Sequence, residues 1–144
     1  MSYFTNHKNH YTTRPIIWEK TNPLPHNCIL TYLSGCEFGV WVKLNGKAPF
    51  NAHAKSNVMH YPVATPDKIK SHPTKKNLDL FKDLILDNTN PDQVVFDPCC
   101  GSGTTIEACL CTNRKFLACE LNKDYYDNAT KYLEHNYSML LAMQ

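Results

Sequence analysis

The segment from Val94 to Glu120 constrains the fold of this chain most, because it alternates strand, turn, helix and strand signals within a short span. It opens with the apolar run VVFD and closes with KFLACE, and each reads as a buried strand of the kind found inside a parallel sheet. Between them, apolar side chains fall at helical spacing from Thr104 to Cys111. This order predicts a βαβ crossover, in which the helix connects two parallel strands.

A glycine turn lies at the carboxyl end of the first predicted strand. The turn Gly101–Gly103 separates Asp97, which ends that strand, from the helix. Glycine lets the backbone approach a ligand closely, and the N–H groups and dipole of the helix favour a polar or anionic group. Glu120 ends the second strand, near the separation at which an acidic side chain accepts hydrogen bonds from both ribose hydroxyls. The pattern indicates a cofactor that contains adenosine.

Three adenosine cofactors can be compared against this turn. The dinucleotide fingerprint requires a third glycine where Ile106 stands, which disfavours NAD. A phosphate-binding loop requires a lysine, and none occurs between Val94 and Asn113, which disfavours ATP. Asp97 instead offers an acceptor for a cationic or amino-bearing group, which favours S-adenosylmethionine. Two alternatives stay open, namely a tight turn that binds no ligand and a domain for another adenosine cofactor.

Composition argues against several other classes of protein. The seven cysteines include the adjacent pair Cys99 and Cys100, and no Cys-x-x-Cys spacing occurs, so neither a disulfide framework nor a metal site is expected. The 15 Lys and Arg against 13 Asp and Glu give no field that argues for or against a nucleic acid. No segment approaches the roughly 18 apolar residues that span a bilayer. We therefore expect a cytoplasmic protein that does not enter a membrane.

The sequence before this segment predicts fewer regular elements. Residues 1–13 are polar and without periodicity, and we expect them to be irregular. Strands are predicted over Pro15 to Lys20 and over Glu37 to Lys47, with a short helix around Cys28 to Leu33 between them. From Lys47 to Ser71 the prolines and the lack of periodicity predict a long irregular connection.

Two further helices are predicted on either side of the βαβ unit. Thr74 can cap the first helix, since Ser and Thr hydroxyls satisfy the N–H groups of a first turn. Its apolar face consists of Leu78, Phe81, Leu84 and Ile85. The second helix begins at Asn122 or Asp124 and continues to Leu133.

Three motifs resemble the cofactor-binding half of the amino-methylating DNA methyltransferases, which act on adenine N6 or cytosine N4. They read FDPCCGSGTTIEA, RKFLACELNKDYYDNA and, just upstream, SHPTKKNLDLFKDLI. Their order is that of the permuted class, in which the cofactor half follows the catalytic half. The resemblance is strong from Ser71 to Leu133 and fainter before it. It implies an α/β methyltransferase fold, that is, a Rossmann-like, mostly parallel sheet with flanking helices that binds S-adenosylmethionine at the carboxyl ends of its strands.

The resemblance also assigns roles to individual residues. The implied cofactor-binding residues are Asp97, Gly101, Gly103, Thr104 and Glu120, with Thr74 and Lys76 near the cofactor carboxylate. Glu120 would hold the ribose. Two positions depart from the family pattern, because Cys99 replaces the usual Phe and Asn77 replaces Pro. The first could loosen the packing beneath the adenine, and the second removes a rigid first-turn proline.

The catalytic motif of that family does not occur in this sequence. The motif is Asp, Asn or Ser followed by Pro-Pro and an aromatic residue, and it holds a base that has been flipped out of the duplex. The chain has no Pro-Pro pair, and its nearest string, Asn22-Pro23-Leu24-Pro25, lacks the aromatic residue. We therefore expect no catalytic residue in this chain, which would be a C-terminal portion of such an enzyme with a fold incomplete at its front.

An incomplete fold implies a partner. By resemblance, the absent strand belongs beside VVFD, so that strand would present an unpaired edge at the cofactor site. We expect a complementary polypeptide or a second copy to cover this edge, and the complete enzyme to act on DNA. The alternative is an inactive remnant or regulatory subunit that binds S-adenosylmethionine or a partner and transfers nothing.

The length of 144 residues predicts one domain. We expect it to extend from residue 14 to residue 144. Residues 14–71 would be the remnant of the catalytic half, and residues 72–144 would be the S-adenosylmethionine-binding half.

Overall fold

The computed structural model describes residues 11–23, 25, 31–44, 46, 48–63 and 75–141, with side chains described as far as residue 135. The chain divides into two compact units, Met1–Val63 and Ala64–Gln144. This division lies several residues before the predicted boundary at residues 71 and 72. The prediction of a single domain remains a prediction.

The first unit contains a sheet of three strands in the order β2-β1-β3. Strand β1 spans Tyr11–Lys20, β2 spans Cys36–Leu44 and β3 spans Val58–Tyr61. Strand β1 pairs antiparallel with β2 and parallel with β3. Two predictions are wrong here: residues 11–13 are part of β1 rather than irregular, and β3 lies within the connection that was expected to have no regular structure.

One face of this sheet is buried around Trp18. This side chain is 5% exposed and Met59 is 6% exposed, and the Trp18 Nε1–H donates to the carbonyl of Tyr61 at 2.8 Å. The rings of Trp41 and Phe50 lie 5.2 Å apart between centroids. The predicted helix around Cys28 to Leu33 falls mostly outside the described residues, and residues 31–33 are not helical.

The second unit contains the predicted βαβ crossover. Strand β4, Val94–Asp97, runs parallel to β5, Lys115–Ala118, and helix α2, Thr104–Cys111, connects them. Helix α1 spans Leu78–Asn88 and helix α3 spans Lys123–Leu141. This arrangement confirms the strand, helix, strand, helix order read from the sequence.

The core of the second unit lies where α1, α2 and β4 meet. Its buried members are Ile85, Ala108 and Cys109, against which the partly buried Leu78, Phe81 and Val95 pack. Arg114 ties the ends of the two helices together, because its Nη2 donates to the carbonyl of Thr89 at 2.8 Å and its Nη1 donates to the carbonyl of Thr112. Arg114 thus fixes the C-terminal ends of α1 and α2 beside the start of β5, at the opposite end of the two parallel strands from the glycine turn.

The ends of the helices are set by asparagine side chains. The Asn77 side chain accepts from the N–H of Leu80 at 2.9 Å, so Asn77 caps α1. Thr74, which was predicted to be the cap, lies outside the described residues and precedes that position by three, so this prediction is wrong. The Asn122 side chain accepts from the N–H of Asp124 at 2.9 Å, which confirms Asn122 as the start of the last helix.

The mostly parallel sheet that was expected is present in part. Strands β4 and β5 are parallel, whereas the sheet of the first unit mixes both directions. The two parallel strands were expected to be buried on both sides, but Val94, Phe96 and Leu117 are 62%, 58% and 60% exposed. Within the described part of the chain, no helix is long and apolar enough to cross a membrane.

Candidate cofactor site

The glycine turn is held in place by its backbone. The N–H of Cys119 donates to the carbonyl of Asp97, and the N–H of Cys100 donates to the carbonyl of Cys119, both at 2.9 Å. Gly101 and Gly103 have φ angles of 53° and 85°, in the left-handed region that glycine adopts without strain. The turn after β4 is thus fastened to the end of β5, which brings the two predicted acidic positions to the same edge of the sheet.

Asp97 directs its carboxylate into the turn that follows it. Its Oδ1 accepts from the N–H of Cys99 at 3.0 Å, and its Oδ2 accepts from the hydroxyl of Thr105 at 2.5 Å. Thr105 is 8% exposed and lies in the first turn of α2. The helix therefore fixes the orientation of Asp97, a contact that the sequence reasoning did not identify.

Glu120 reaches the same turn from the end of β5. Its Oε2 accepts from the N–H of Gly101 at 2.8 Å, and its Oε1 accepts from the N–H of Asn122 at 2.9 Å. A carboxylate oxygen can accept more than one hydrogen bond, so these two bonds are compatible with a further donor such as a ribose hydroxyl. Glu120 joins the turn, the end of β5 and the beginning of α3.

The carboxylates of Asp97 and Glu120 both affect the pKa of the Cys100 thiol in the turn. Burial raises the pKa of Cys100 above its ordinary value, and the negative charges of Asp97 and Glu120 raise it further. Each effect disfavours the thiolate. The carboxylates of Asp97 and Glu120, which accept hydrogen bonds from the N–H groups of Cys99 and Gly101, thus flank the turn on two sides. This arrangement suits a ligand that carries a positive charge or hydroxyl and amino donors.

Helix α2 begins directly at the turn. Thr104 is its first residue and is 5% exposed, and Gly103 occupies the N-cap position without a side chain to satisfy the first N–H groups. A Cβ added to Gly103 would lie 3.5 Å from the Cβ of Ala129, so α3 packs against this point of the turn. The predicted residues Asp97, Gly101, Gly103, Thr104 and Glu120 all belong to this turn or its two flanks.

The two residues predicted upstream are placed differently. Thr74 lies outside the described residues, and Lys76 is partly buried immediately before α1. Its neighbour Lys75 lies 4.0 Å from Glu107 and 5.4 Å from the ring centre of Tyr132. The Tyr132 hydroxyl donates to Glu107 at 2.7 Å. This cluster ties the segment before α1 to α2 and α3. The role predicted for Thr74 and Lys76 remains a prediction.

The chemistry of the site fits one cofactor better than the others. The turn supplies two carboxylates and backbone groups, and its segment contains no lysine or arginine between Val94 and Asn113. Phosphates would lack charge compensation there, whereas a ribose and a cationic centre would find acceptors. No group of three or more His, Cys, Asp or Glu that could hold a metal ion occurs among the residues that the structure describes.

These features describe an α/β protein in which a glycine turn and two acidic side chains meet at the carboxyl ends of two parallel strands, the place where ligands bind in folds of this class. The family model of the N6/N4 methyltransferases, described as DNA methylase, matches residues 2–131. The chain belongs to this family, which uses S-adenosylmethionine. The resemblance drawn from the three sequence motifs is thereby confirmed.

Relatives with known names support the same assignment. The chain is 35% identical over 134 residues to the orphan methyltransferase M.BamHII of Bacillus amyloliquefaciens, covering 92% of this chain and 43% of that protein. It is 28% identical over 149 residues to the type II methyltransferase M2.MboI of Moraxella bovis, covering 90% and 55%. The chain thus spans about half the length of these curated relatives.

Solved structures show the same fold. The crystal structure of the M1.HpyAVI-SAM complex is 35% identical, with a TM-score of 0.70, and the match covers 87% of this chain and 64% of that chain. The cytosine-N4-specific PvuII DNA methyltransferase is 18% identical with a TM-score of 0.66, and it supports the fold alone.

Proposed function

We propose that this chain forms the S-adenosylmethionine-binding part of a DNA methyltransferase that modifies an exocyclic base amine, adenine N6 or cytosine N4. The observation that carries the proposal is the pair of carboxylates on one glycine turn, with Glu120 bound to the N–H of Gly101 at 2.8 Å. The family membership supports S-adenosylmethionine as the cofactor. The hydrogen-bond donors and acceptors of the turn are suited to binding it.

Each residue of the turn has a role in this proposal. Glu120 would accept the ribose hydroxyls, because an acid at the end of the second strand is placed for that bond. Asp97 would accept from an amino-bearing or cationic part of the cofactor, and Thr105 would keep its carboxylate oriented. Thr104 and the turn N–H groups would contact the methionine portion. Lys76 and Thr74 would lie near its carboxylate.

The bound cofactor supplies an activated methyl group, and this chain would hold and orient it. Transfer to a base amine also requires a flipped base stacked on an aromatic ring, with its amino hydrogens accepted by a carboxylate or amide. The sequence of this chain contains no Pro-Pro-aromatic motif to do so. We propose that a segment outside this sequence supplies that motif, on the same polypeptide or on another one.

The free edge of β4 indicates where such a segment would bind. Among the described residues, β4 pairs with β5 alone, and its last residue is Asp97. A strand added beside β4 would satisfy the backbone groups of this edge and would end next to the cofactor turn. A second copy of this chain is the other candidate for the same edge.

The lack of the motif also favours a second candidate function, a subunit that binds S-adenosylmethionine or a partner without transferring a methyl group. Incorporation of tritiated methyl groups into DNA separates the two. We expect none with this chain alone and incorporation after addition of a polypeptide that carries the motif. Binding of S-adenosylmethionine without incorporation under both conditions would support the inactive subunit instead.

A further inference from the structure

Lys75, Glu107 and Tyr132 form a partly buried cluster in the second unit. The Lys75 ammonium lies 4.0 Å from the Glu107 carboxylate, and the two side chains are 18% and 21% exposed. The same ammonium lies 5.4 Å from the ring centre of Tyr132, whose hydroxyl donates to Glu107 at 2.7 Å. Lys75 therefore has a carboxylate and an aromatic ring as neighbours, and both attract a cation.

Two contacts connect this cluster to the glycine turn. The N–H of Glu107 donates to the carbonyl of Gly103 at 3.0 Å, so Glu107 lies in the first turn of α2. A Cβ added to Gly103 would lie 3.5 Å from the Cβ of Ala129, and Tyr132 follows Ala129 on the same side of α3 after about one helical turn. The cluster is therefore held next to the turn by both helices.

Lys76 lies between two anchored residues. On its N-terminal side, Lys75 contacts Glu107. On its C-terminal side, the buried Asn77 caps α1 by accepting from the N–H of Leu80 at 2.9 Å. Because consecutive Cα atoms are only about 3.8 Å apart, these two anchors restrict where the backbone of Lys76 can lie.

We propose that Lys75 and Glu107 are positioning residues, whose ion pair holds Lys76 in place to bind the carboxylate of S-adenosylmethionine. This inference rests on the proposed function, in which Lys76 lies near that carboxylate. The resemblance to the methyltransferases assigns no role to Lys75, Glu107 or Tyr132. A segment that is anchored in advance loses less freedom when the cofactor binds, and this increases the affinity.

The exposure of the ion pair limits the size of its effect. Positioning cannot improve binding by more than the pair itself contributes, so breaking a pair in contact with water should weaken binding about fivefold. Lys76→Met should cost more, about 10-fold, because it removes a charge-assisted bond to the carboxylate itself.

Calorimetry with two ligands tests the inference. S-adenosylmethionine and its decarboxylated analogue differ only in the carboxylate. Lys75→Met and Glu107→Gln should each weaken binding of S-adenosylmethionine about fivefold and leave the affinity for the analogue unchanged. Methionine retains the packing against Tyr132, and glutamine retains an acceptor for its hydroxyl, so both variants should melt close to the wild type. The double variant should bind no more weakly than either single variant, because the two residues act through one contact.

Two further variants are the controls. Lys75→Arg keeps the positive charge and the contact with the ring, and it should retain the affinity of the wild type for S-adenosylmethionine. Lys82→Met removes an ion pair with Asp79 that lies within α1, at 3.1 Å, and it should change neither affinity.

Three results would overturn the inference while the wild-type chain still binds the cofactor. They are unchanged binding of S-adenosylmethionine in the Lys75, Glu107 or Lys76 variant, equal weakening of both ligands, and effects of opposite sign for Lys75→Met and Glu107→Gln. Opposite signs would indicate a direct effect of charge on the carboxylate, since one variant removes a positive and the other a negative charge. A wild-type chain that binds no S-adenosylmethionine would instead contradict the proposed function, and the inference with it.

Discussion

The Glu120 carboxylate accepts a hydrogen bond from the backbone N–H of Gly101 at 2.8 Å, across a sequence separation of 19 residues. This bond joins the ends of two parallel strands and leaves the turn between Asp97 and α2 little freedom. Because the other oxygen of Glu120 accepts from the N–H of Asn122, the same carboxylate also positions the start of α3. The Glu120 side chain therefore stabilises the turn, in addition to being a candidate for binding the cofactor.

Replacement of Glu120 by Gln is predicted to weaken S-adenosylmethionine binding about 10- to 100-fold, because charge-assisted bonds contribute roughly 1.5–3 kcal/mol and one acceptor becomes a donor. Isothermal titration calorimetry measures the change. Glu134→Gln is the matched control, since Glu134 lies exposed on α3 and outside the turn. Equal affinities for the Glu120 variant and the wild type would show that this carboxylate does not hold the cofactor.

Gly103→Ala is predicted to destabilise the chain by about 1–2 kcal/mol, because a φ angle of 85° is unfavourable for a residue with a Cβ. The added Cβ would lie 3.5 Å from that of Ala129, an ordinary contact, so the cost comes from the backbone. Urea denaturation measures it. Gly35→Ala serves as the control, since a Cβ there meets nothing within 4 Å. Similar losses in the two variants would contradict this explanation.

Asn77→Ala is predicted to destabilise the chain by about 1 kcal/mol through loss of the N-cap of α1. Asn77→Ser retains a side-chain acceptor and should recover most of that stability. Asn77→Pro restores the proline of the family pattern but not the acceptor, and it should behave like the alanine variant. Thermal unfolding of the three variants would refute the capping role if serine and alanine were indistinguishable.

The stability of the chain is predicted to fall above pH 9. Burial raises the pKa of Cys109 to about 11, with Arg114 opposing the shift and Asp97 adding to it. The folded state then keeps a proton that the unfolded state releases. The contribution of the protonated Cys109 thiol to the free energy of unfolding is complete below the unfolded pKa of 9.0. It is lost as the pH rises to about 11.

The expected loss is about 2–3 kcal/mol for a shift of this size. Denaturation at several alkaline pH values in wild type and in Cys109→Ala gives the test, with Cys111→Ala as a control on the exposed side of the same helix. The Cys109 variant should show a flatter pH dependence, whereas the control should follow the wild type. Parallel curves for all three proteins would rule out Cys109 as the cause.

The sequence predicted the second unit more accurately than the first. The crossover from β4 through α2 to β5 was visible because two short apolar runs enclose a glycine turn and a helical pattern. The cap at Asn122 depends on a contact only two residues away. Strand β3 was missed because its pairing with β1 spans about 40 residues, and a run of four residues gives no periodic signal of its own. Tertiary pairing decided its structure.

The acidic residues and glycines of the candidate site were predicted from the sequence, but the side chains that hold them in position were not. The spacing of Asp97, the turn and Glu120 was visible in the sequence. The hydroxyl of Thr105 that orients Asp97 was not, because one threonine in a helix gives no sign of its partner. The cluster of Lys75, Glu107 and Tyr132 joins three separate segments, and no local pattern indicates such a contact. Helix α1 was placed correctly, but its cap was assigned three residues too early.

We propose that S-adenosylmethionine binds at the glycine turn Gly101–Gly103, beside the carboxylates of Asp97 and Glu120. This binding can be followed residue by residue in a titration of the ¹⁵N-labelled chain monitored by amide NMR. We expect the largest chemical-shift changes at the N–H groups that donate to the two carboxylates, those of Cys99, Gly101 and Asn122. If saturating S-adenosylmethionine leaves these three amides unchanged, or shifts only amides elsewhere in the chain, the cofactor does not bind at this turn.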